Sequence, residues 1–162
     1  MSVFSIPTRK HVKQYLLQEF GPAEPLAIHQ NTFLGRLIGS KVEKKQPYRQ
    51  LNKEAKPALD GLLISLPTAL KHHTLPLPAA VQLAEVLNKF FQQQMIQFVK
   101  GQVAVTQNER GALRSFYALY DINPSDYDLE EARKVYRDYK DRVMKSNGHF
   151  DFIYGDDVVA SS

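Results

Sequence analysis

The five histidines are the first candidates for metal binding or acid–base chemistry, and their spacing favours neither. His72 and His73 are adjacent, so on a helix their side chains would point about 100° apart. No two histidines stand four residues apart, the spacing with which two imidazoles hold zinc from one helix face. The sequence also contains no cysteine, which excludes a thiolate ligand. We therefore expect structural or surface histidines, no metal site and no cofactor.

Carboxylates fall into two groups, at residues 126–131 and 151–157, and neither has the ligand spacing of a calcium loop. The first group surrounds a predicted helix start, where acids stabilise the positive end of the helix dipole. The sequence has neither a Walker A loop nor a Rossmann glycine fingerprint. No serine lies in the context of a nucleophile elbow. We therefore predict a protein that is not an enzyme and has no catalytic residues.

Basic residues are unevenly distributed along the chain. Residues 1–56 hold 10 Lys and Arg against 4 Asp and Glu, whereas residues 108–148 hold 8 of each. The polar segment 40–57 has too little apolar content for a core and predicts a loop or an extended basic hairpin. Its cations would suit a polyanion, although a soluble basic loop without a partner is an equally good interpretation. The candidate phosphate contacts in this segment are Lys41, Lys44, Lys45, Arg49 and Lys53.

A second group of cations lies on a predicted C-terminal helix, residues 129–144. Arg133, Arg137 and Lys140 occupy positions i, i+4 and i+7, so they form a basic stripe. This stripe could offer cations to phosphates while another face of the helix packs against the protein. The apolar face consists of Leu129, Ala132, Tyr136, Tyr139 and Val143.

The alternative for this helix is a solvated surface with internal ion pairs. Lys134 with Asp138, and Arg137 with Asp141, have i, i+4 spacing, and each such pair would contribute about 0.2–0.5 kcal/mol. A helix-turn-helix is disfavoured, because the connection before this helix needs about seven residues and the motif uses three or four.

Periodicity predicts the elements that position these groups. Thr8 caps a helix over residues 9–20, and residues 33–38 form a short helix. "PLAIHQ" and "GLLISLP" read as strands, the latter buried on both faces. The segment 77–105 contains the longest helix, over residues 78–100. Thr106, with Glu109 as its capping-box partner, begins the next helix, and Asp128 begins the last one.

These elements predict an α+β fold that is predominantly helical. A small sheet packs on the long central helix, beside a C-terminal helical hairpin over residues 106–147. We expect a single domain over residues 1–150 and an acidic, flexible tail over residues 151–162.

The stretch "LRSFYALYDINPSDYDLEEARKVYRDYK" resembles a segment of small, uncharacterised bacterial proteins that prophages and mobile elements carry. The shared pattern is an aromatic helix, a "Y-x-I" exit, an acidic helix start and a helix rich in tyrosine and arginine. The resemblance covers about 30 of the 162 residues. It implies a phage or mobile-element setting and assigns no mechanism.

Charge and composition together predict a small non-enzymatic nucleic-acid-binding or accessory protein, with DNA or RNA as its partner. The alternative is a protein-interaction or structural module that forms a homo-oligomer or part of a larger assembly. No apolar run is long enough to span a bilayer, and the N-terminus lacks the order of a secretion signal. We therefore expect a cytoplasmic protein with no membrane partner.

Overall fold

The computed structural model describes residues 2–45 and 61–147, with side chains described as far as Val143. Within the described residues, two α-helices and five short strands precede three further α-helices, so the predicted α+β, mainly helical fold with a long central helix is confirmed. In chain order the elements are β1 Val3–Ile6, α1 Lys10–Phe20, β2 Leu26–Ala27, α2 Phe33–Gly39, β3 Glu43–Lys44, β4 Leu62–Ser65, β5 His73–Thr74, α3 Leu77–Thr106, α4 Glu109–Leu119 and α5 Leu129–Asn147.

The first sheet has the strand order β1-β4-β2. Its central strand β4 runs antiparallel to β1, with Phe4 opposite Ile64, and parallel to β2, with Leu26 opposite Ile64. Leu62, Ile64 and Ser65 of β4 are buried and Leu63 is half-buried, so both faces of the strand are largely covered, as its continuous apolar run predicted. β3 and β5 form a separate two-stranded antiparallel ribbon.

The chain divides into two units, Met1–Lys89 and Phe90–Ser162, and the boundary falls within α3. In the first unit, buried side chains come from the sheet, α1, α2 and the start of α3. They include Ile6, Val12, Leu16, Ile38, Leu62, Ile64, Leu83 and Leu87.

The core of the second unit is aromatic. Phe91 on α3 contacts Phe116 on α4, with ring centroids 5.8 Å apart, and meets the Tyr127 ring edge-on at 5.7 Å. Aromatic pairs in these arrangements add about 0.5–1.5 kcal/mol beyond the burial of their surface. Tyr136 on α5 is fully buried in this unit, so the apolar face predicted for α5 serves the protein's own core.

Two predicted helix caps are wrong. The residue before α1 is Arg9, which makes no side-chain capping bond, and the hydroxyl of Thr8 is buried without a partner among the described residues. α3 continues to Thr106, whose hydroxyl donates to the carbonyl of Gln102. The chain then turns at Gln107, which has a positive φ of 55°. The cap of α4 is therefore Asn108 and not Thr106.

Candidate nucleic-acid interface

α4 and α5 form an antiparallel hairpin whose helix starts are set by side-chain caps. Asn108 Oδ1 accepts a hydrogen bond from the backbone N–H of Gly111 at 2.9 Å, which satisfies a free donor in the first turn of α4. Asp128 Oδ1 accepts from the N–H of Glu130 at 3.0 Å and does the same for α5. The predicted start of α5 at Asp128 is thus confirmed.

Both ends of the hairpin are fastened. At one end, the hydroxyl of Tyr117 on α4 donates to the carbonyl of Tyr127 at 2.8 Å. Burial of this phenol raises the pKa of Tyr117 well above its ordinary value, and the nearby Tyr127, Asp128 and Glu131 act in the same direction. A proton held this firmly keeps the donor in place over the whole physiological pH range.

At the other end of the hairpin, Lys140 on α5 forms an ion pair with Glu109 at the start of α4. The same ammonium group lies 5.4 Å from the centre of the Tyr136 ring, within the range of a cation–π contact. Lys140 therefore joins the two helices.

A groove of about 120 Å³ opens between α4 and α5, and three arginines line it. Arg110 and Arg114 stand one helical turn apart on α4, and Arg133 lies on α5. Arg110 and Arg114 are exposed, whereas Arg133 is half-buried. None of the three has an ion-pair partner among the residues that the structure describes. Their positive charge is therefore available to a ligand.

The remaining lining of the arginine groove is apolar and acidic. Leu113 is buried and Leu129 is half-buried, and together they form the apolar part of the lining. Glu130, in the first turn of α5, is the single carboxylate in it. Three guanidinium groups and one carboxylate give the groove a formal charge of +2.

The basic stripe predicted on α5 has three different environments. Arg133 lines the arginine groove, Arg137 is exposed one turn further along, and Lys140 is bound to Glu109. Of the three, Arg133 and Arg137 form no ion pair with any residue that the structure describes.

The two i, i+4 pairs proposed for the solvated alternative do not come within ion-pair distance in the described part of α5. They were to join Lys134 with Asp138 and Arg137 with Asp141. All four side chains are exposed, so water screens their attraction and little is gained by fixing them in one geometry.

The other predicted cations belong to the first unit. Lys44 lies on the ribbon opposite His73, and the N–H of Lys45 donates to the carbonyl of His72 at 2.9 Å. Both lysines are exposed, whereas Lys41 donates to Gln82 Oε1 at 3.1 Å. Residues 43–44 thus pair with residues 73–74 in the ribbon, and residues 46–60 of the predicted loop or basic hairpin lie outside the described residues. Arg49 and Lys53, like the acidic tail 151–162, lie outside the described residues.

Sequence reasoning missed Arg110 and Arg114. Their spacing could have indicated a shared surface, because residues at i and i+4 lie on one edge of α4, beside its apolar face. The predicted hairpin pairs α4 with α5, but only the structure shows that this edge of α4 lies beside Arg133.

Comparisons with protein-family models, with curated proteins and with solved structures gave no match for this chain. In the described segments, no helix combines the length and the apolar character needed to cross a bilayer. Residues 2–45 and 61–147 also bring together no group of three acidic or histidine side chains that could hold a metal ion.

Proposed function

We propose that this protein is a small non-enzymatic nucleic-acid-binding or accessory protein of phage or mobile-element origin, and that the arginine groove is its principal contact. The observation that carries the proposal is the convergence of Arg110, Arg114 and Arg133 from two helices on one groove. Arginine presents a rigid planar fork of donors that matches the oxygens of a phosphate. Three unpaired guanidinium groups side by side repel one another, and a polyanion relieves that repulsion.

Binding of this kind depends steeply on salt, because each neutralised phosphate releases bound counterions. The logarithm of the binding constant falls with slope about −0.9 per phosphate for duplex DNA and about −0.7 for a single strand. Three arginines that each neutralise one phosphate therefore contribute about −2 to −3 to the slope. The exposed Arg137, one turn from Arg133, is placed to extend the contact.

Fluorescence anisotropy of labelled DNA and RNA oligonucleotides, titrated at a series of salt concentrations, tests the proposal. The triple variant Arg110→Gln, Arg114→Gln, Arg133→Gln should bind more weakly at low salt. Its salt slope should be shallower by about 2 to 3. Circular dichroism would show that the variant remains folded, since none of these side chains is fully buried.

A matched control removes the same charge elsewhere. Arg9, Arg36 and Lys89 are exposed residues of the first unit, and their replacement by glutamine also lowers the formal net charge from +4 to +1. This control should retain most of the affinity and the salt slope. Absence of binding by the unmodified protein at low salt, or equal losses in the two triple variants, would contradict the proposal.

The alternative function, a homo-oligomeric interaction module, draws support from two exposed apolar side chains. Val105 near the end of α3 is 85% exposed and Leu119 at the end of α4 is 58% exposed. The apolar face of α5 is used within the second unit, where Ala132 and Tyr136 are buried. Multi-angle light scattering distinguishes the two functions: a stable oligomer without affinity for DNA or RNA would favour the interaction module.

A further inference from the structure

We infer that the arginine groove accepts an unpaired nucleobase that carries an amino group, so that the protein prefers single-stranded nucleic acid containing cytosine, adenine or guanine over strands of thymine or uracil. The inference rests on the proposed function and specifies its substrate class. Three properties of the groove carry it: its size, its apolar lining and its single carboxylate.

The size of the groove suits one planar group. A volume of about 120 Å³ is several times the space that one water molecule needs in a cavity. One nucleobase, inserted edge first between the two helices, fits a groove of this volume. A base pair is too large for it. A duplex could therefore contact only the rim of the groove with its phosphates.

The apolar lining has no use in a site for phosphate alone. The half-buried Leu129 contributes apolar surface above the buried Leu113, and a phosphate gains nothing from contact with it. The face of a base does gain, because it is itself weakly hydrated. Arginine guanidinium planes also stack on unpaired bases, as is common in single-strand recognition. Arg110, Arg114 and Arg133 can thus serve both the base and the phosphates beside it.

Glu130 selects among ligands most sharply. A carboxylate beside three arginines weakens the attraction for a phosphate, so it is unfavourable in a site for the backbone alone. Ionised glutamate is only an acceptor, and the N–H groups of a base are suitable donors. Cytosine and adenine offer an amino group to such a carboxylate, and guanine offers the N–H groups of its Watson–Crick edge. Thymine and uracil present mostly acceptors, so the groove should discriminate against them.

The test compares labelled homopolymer strands of equal length by anisotropy in a slightly alkaline buffer. The probes are oligo(dC), oligo(dT), their RNA counterparts oligo(C) and oligo(U), and a mixed-sequence duplex with the same number of phosphates per strand. We expect the cytosine strands to bind at least about fivefold more tightly than the thymine and uracil strands and the duplex, the lower end of what a specific hydrogen-bonded contact to a base contributes to discrimination. The DNA and RNA arms show which sugar the protein accepts.

Glu130→Gln and Glu131→Gln form a matched pair of variants. Both residues are exposed in the first turn of α5 and both substitutions remove one negative charge, but Glu130 alone lines the groove. Glu131→Gln should raise the affinity for every probe by the same factor. Glu130→Gln should raise the affinity for the thymine strand and the duplex while the preference for cytosine falls towards one.

Equal affinity for duplex and cytosine strand, or an unchanged cytosine preference in Glu130→Gln, would overturn the inference. If the protein still binds the duplex, and the triple arginine variant binds that duplex more weakly, the proposed function stands without this substrate class. Failure of every probe to bind at low salt would instead remove the proposed function itself.

Discussion

Replacement of Tyr117 by phenylalanine should destabilise the protein at neutral pH and relieve part of its instability in alkali. The substitution removes the hydroxyl that donates to the carbonyl of Tyr127 at 2.8 Å. Tyr117 is only 4% exposed, so the carbonyl is left without its donor in a buried place. Such a loss costs about 1–3 kcal/mol.

The pH dependence follows from the raised pKa of the Tyr117 phenol. Above pH of about 10, tyrosine in the unfolded chain loses its proton, whereas the buried phenol of the folded protein keeps it. The unfolded state then binds fewer protons, so wild-type stability is complete below pH of about 10 and falls as the pH rises. At one pH unit above the ordinary value, this single group costs the wild type about 1.4 kcal/mol. Phenylalanine has no proton to lose.

Urea unfolding of wild type and Tyr117→Phe at pH 7, 9 and 11 measures both effects. The difference in unfolding free energy should be about 1–3 kcal/mol at the two lower values and smaller by about 1.4 kcal/mol at the highest. Tyr139→Phe, which makes the same chemical change at a half-buried position of α5, is the control and should cost less at pH 7. A difference that stays constant or grows in alkali would refute the reasoning about Tyr117.

Two further predictions concern backbone positions. A Cβ on Gly35 would lie 1.8 Å from the carbonyl oxygen of His29, whereas a Cβ on Gly39 meets nothing within 4 Å. Gly35→Ala should therefore destabilise the protein by about 1–3 kcal/mol or more and lower its melting temperature. Gly39→Ala should leave the melting temperature unchanged or raise it. Equal melting temperatures of the two variants would contradict the packing at α2. Asn108→Ala should cost about 1 kcal/mol in chemical unfolding because α4 loses its cap. Asn108→Asp retains the acceptor oxygen and should cost little. A similar loss in both variants would contradict a stabilising role of the hydrogen bond that the Asn108 side chain accepts.

The sequence predicted the elements whose signals are periodic and long. The apolar repeat in α3 and the acidic start of α5 at Asp128 are read from neighbours three and four residues apart, and such local signals persist in the fold. β1 escaped because its four residues, Val3–Ile6, are too few for a period and become a strand only through pairing with β4. The end of α3 was placed at residue 100, whereas in the structure the helix continues through Gly101 to Thr106.

Only part of the arginine groove could be predicted in this way. Arg133 was recognised because it stands in a basic stripe on a single helix. Arg110 and Arg114 were not, since their significance depends on which edge of α4 lies beside α5 in the hairpin. Lys140 had the right spacing, but its ion pair with Glu109 joins residues 31 positions apart, and no local pattern reveals such a contact.

NMR signals of the arginine side chains test most directly whether the arginine groove binds nucleic acid. At 18.5 kDa, the ¹⁵N-labelled protein is suited to NMR spectra of the arginine Nε–H groups, recorded as a cytosine oligonucleotide is added. The account predicts that the resonances of Arg110, Arg114 and Arg133 shift together and saturate at one concentration, and that those of Arg9 and Arg36 stay in place. Shifts confined to Arg9 and Arg36, or no shift of the three groove arginines at low salt, would contradict it.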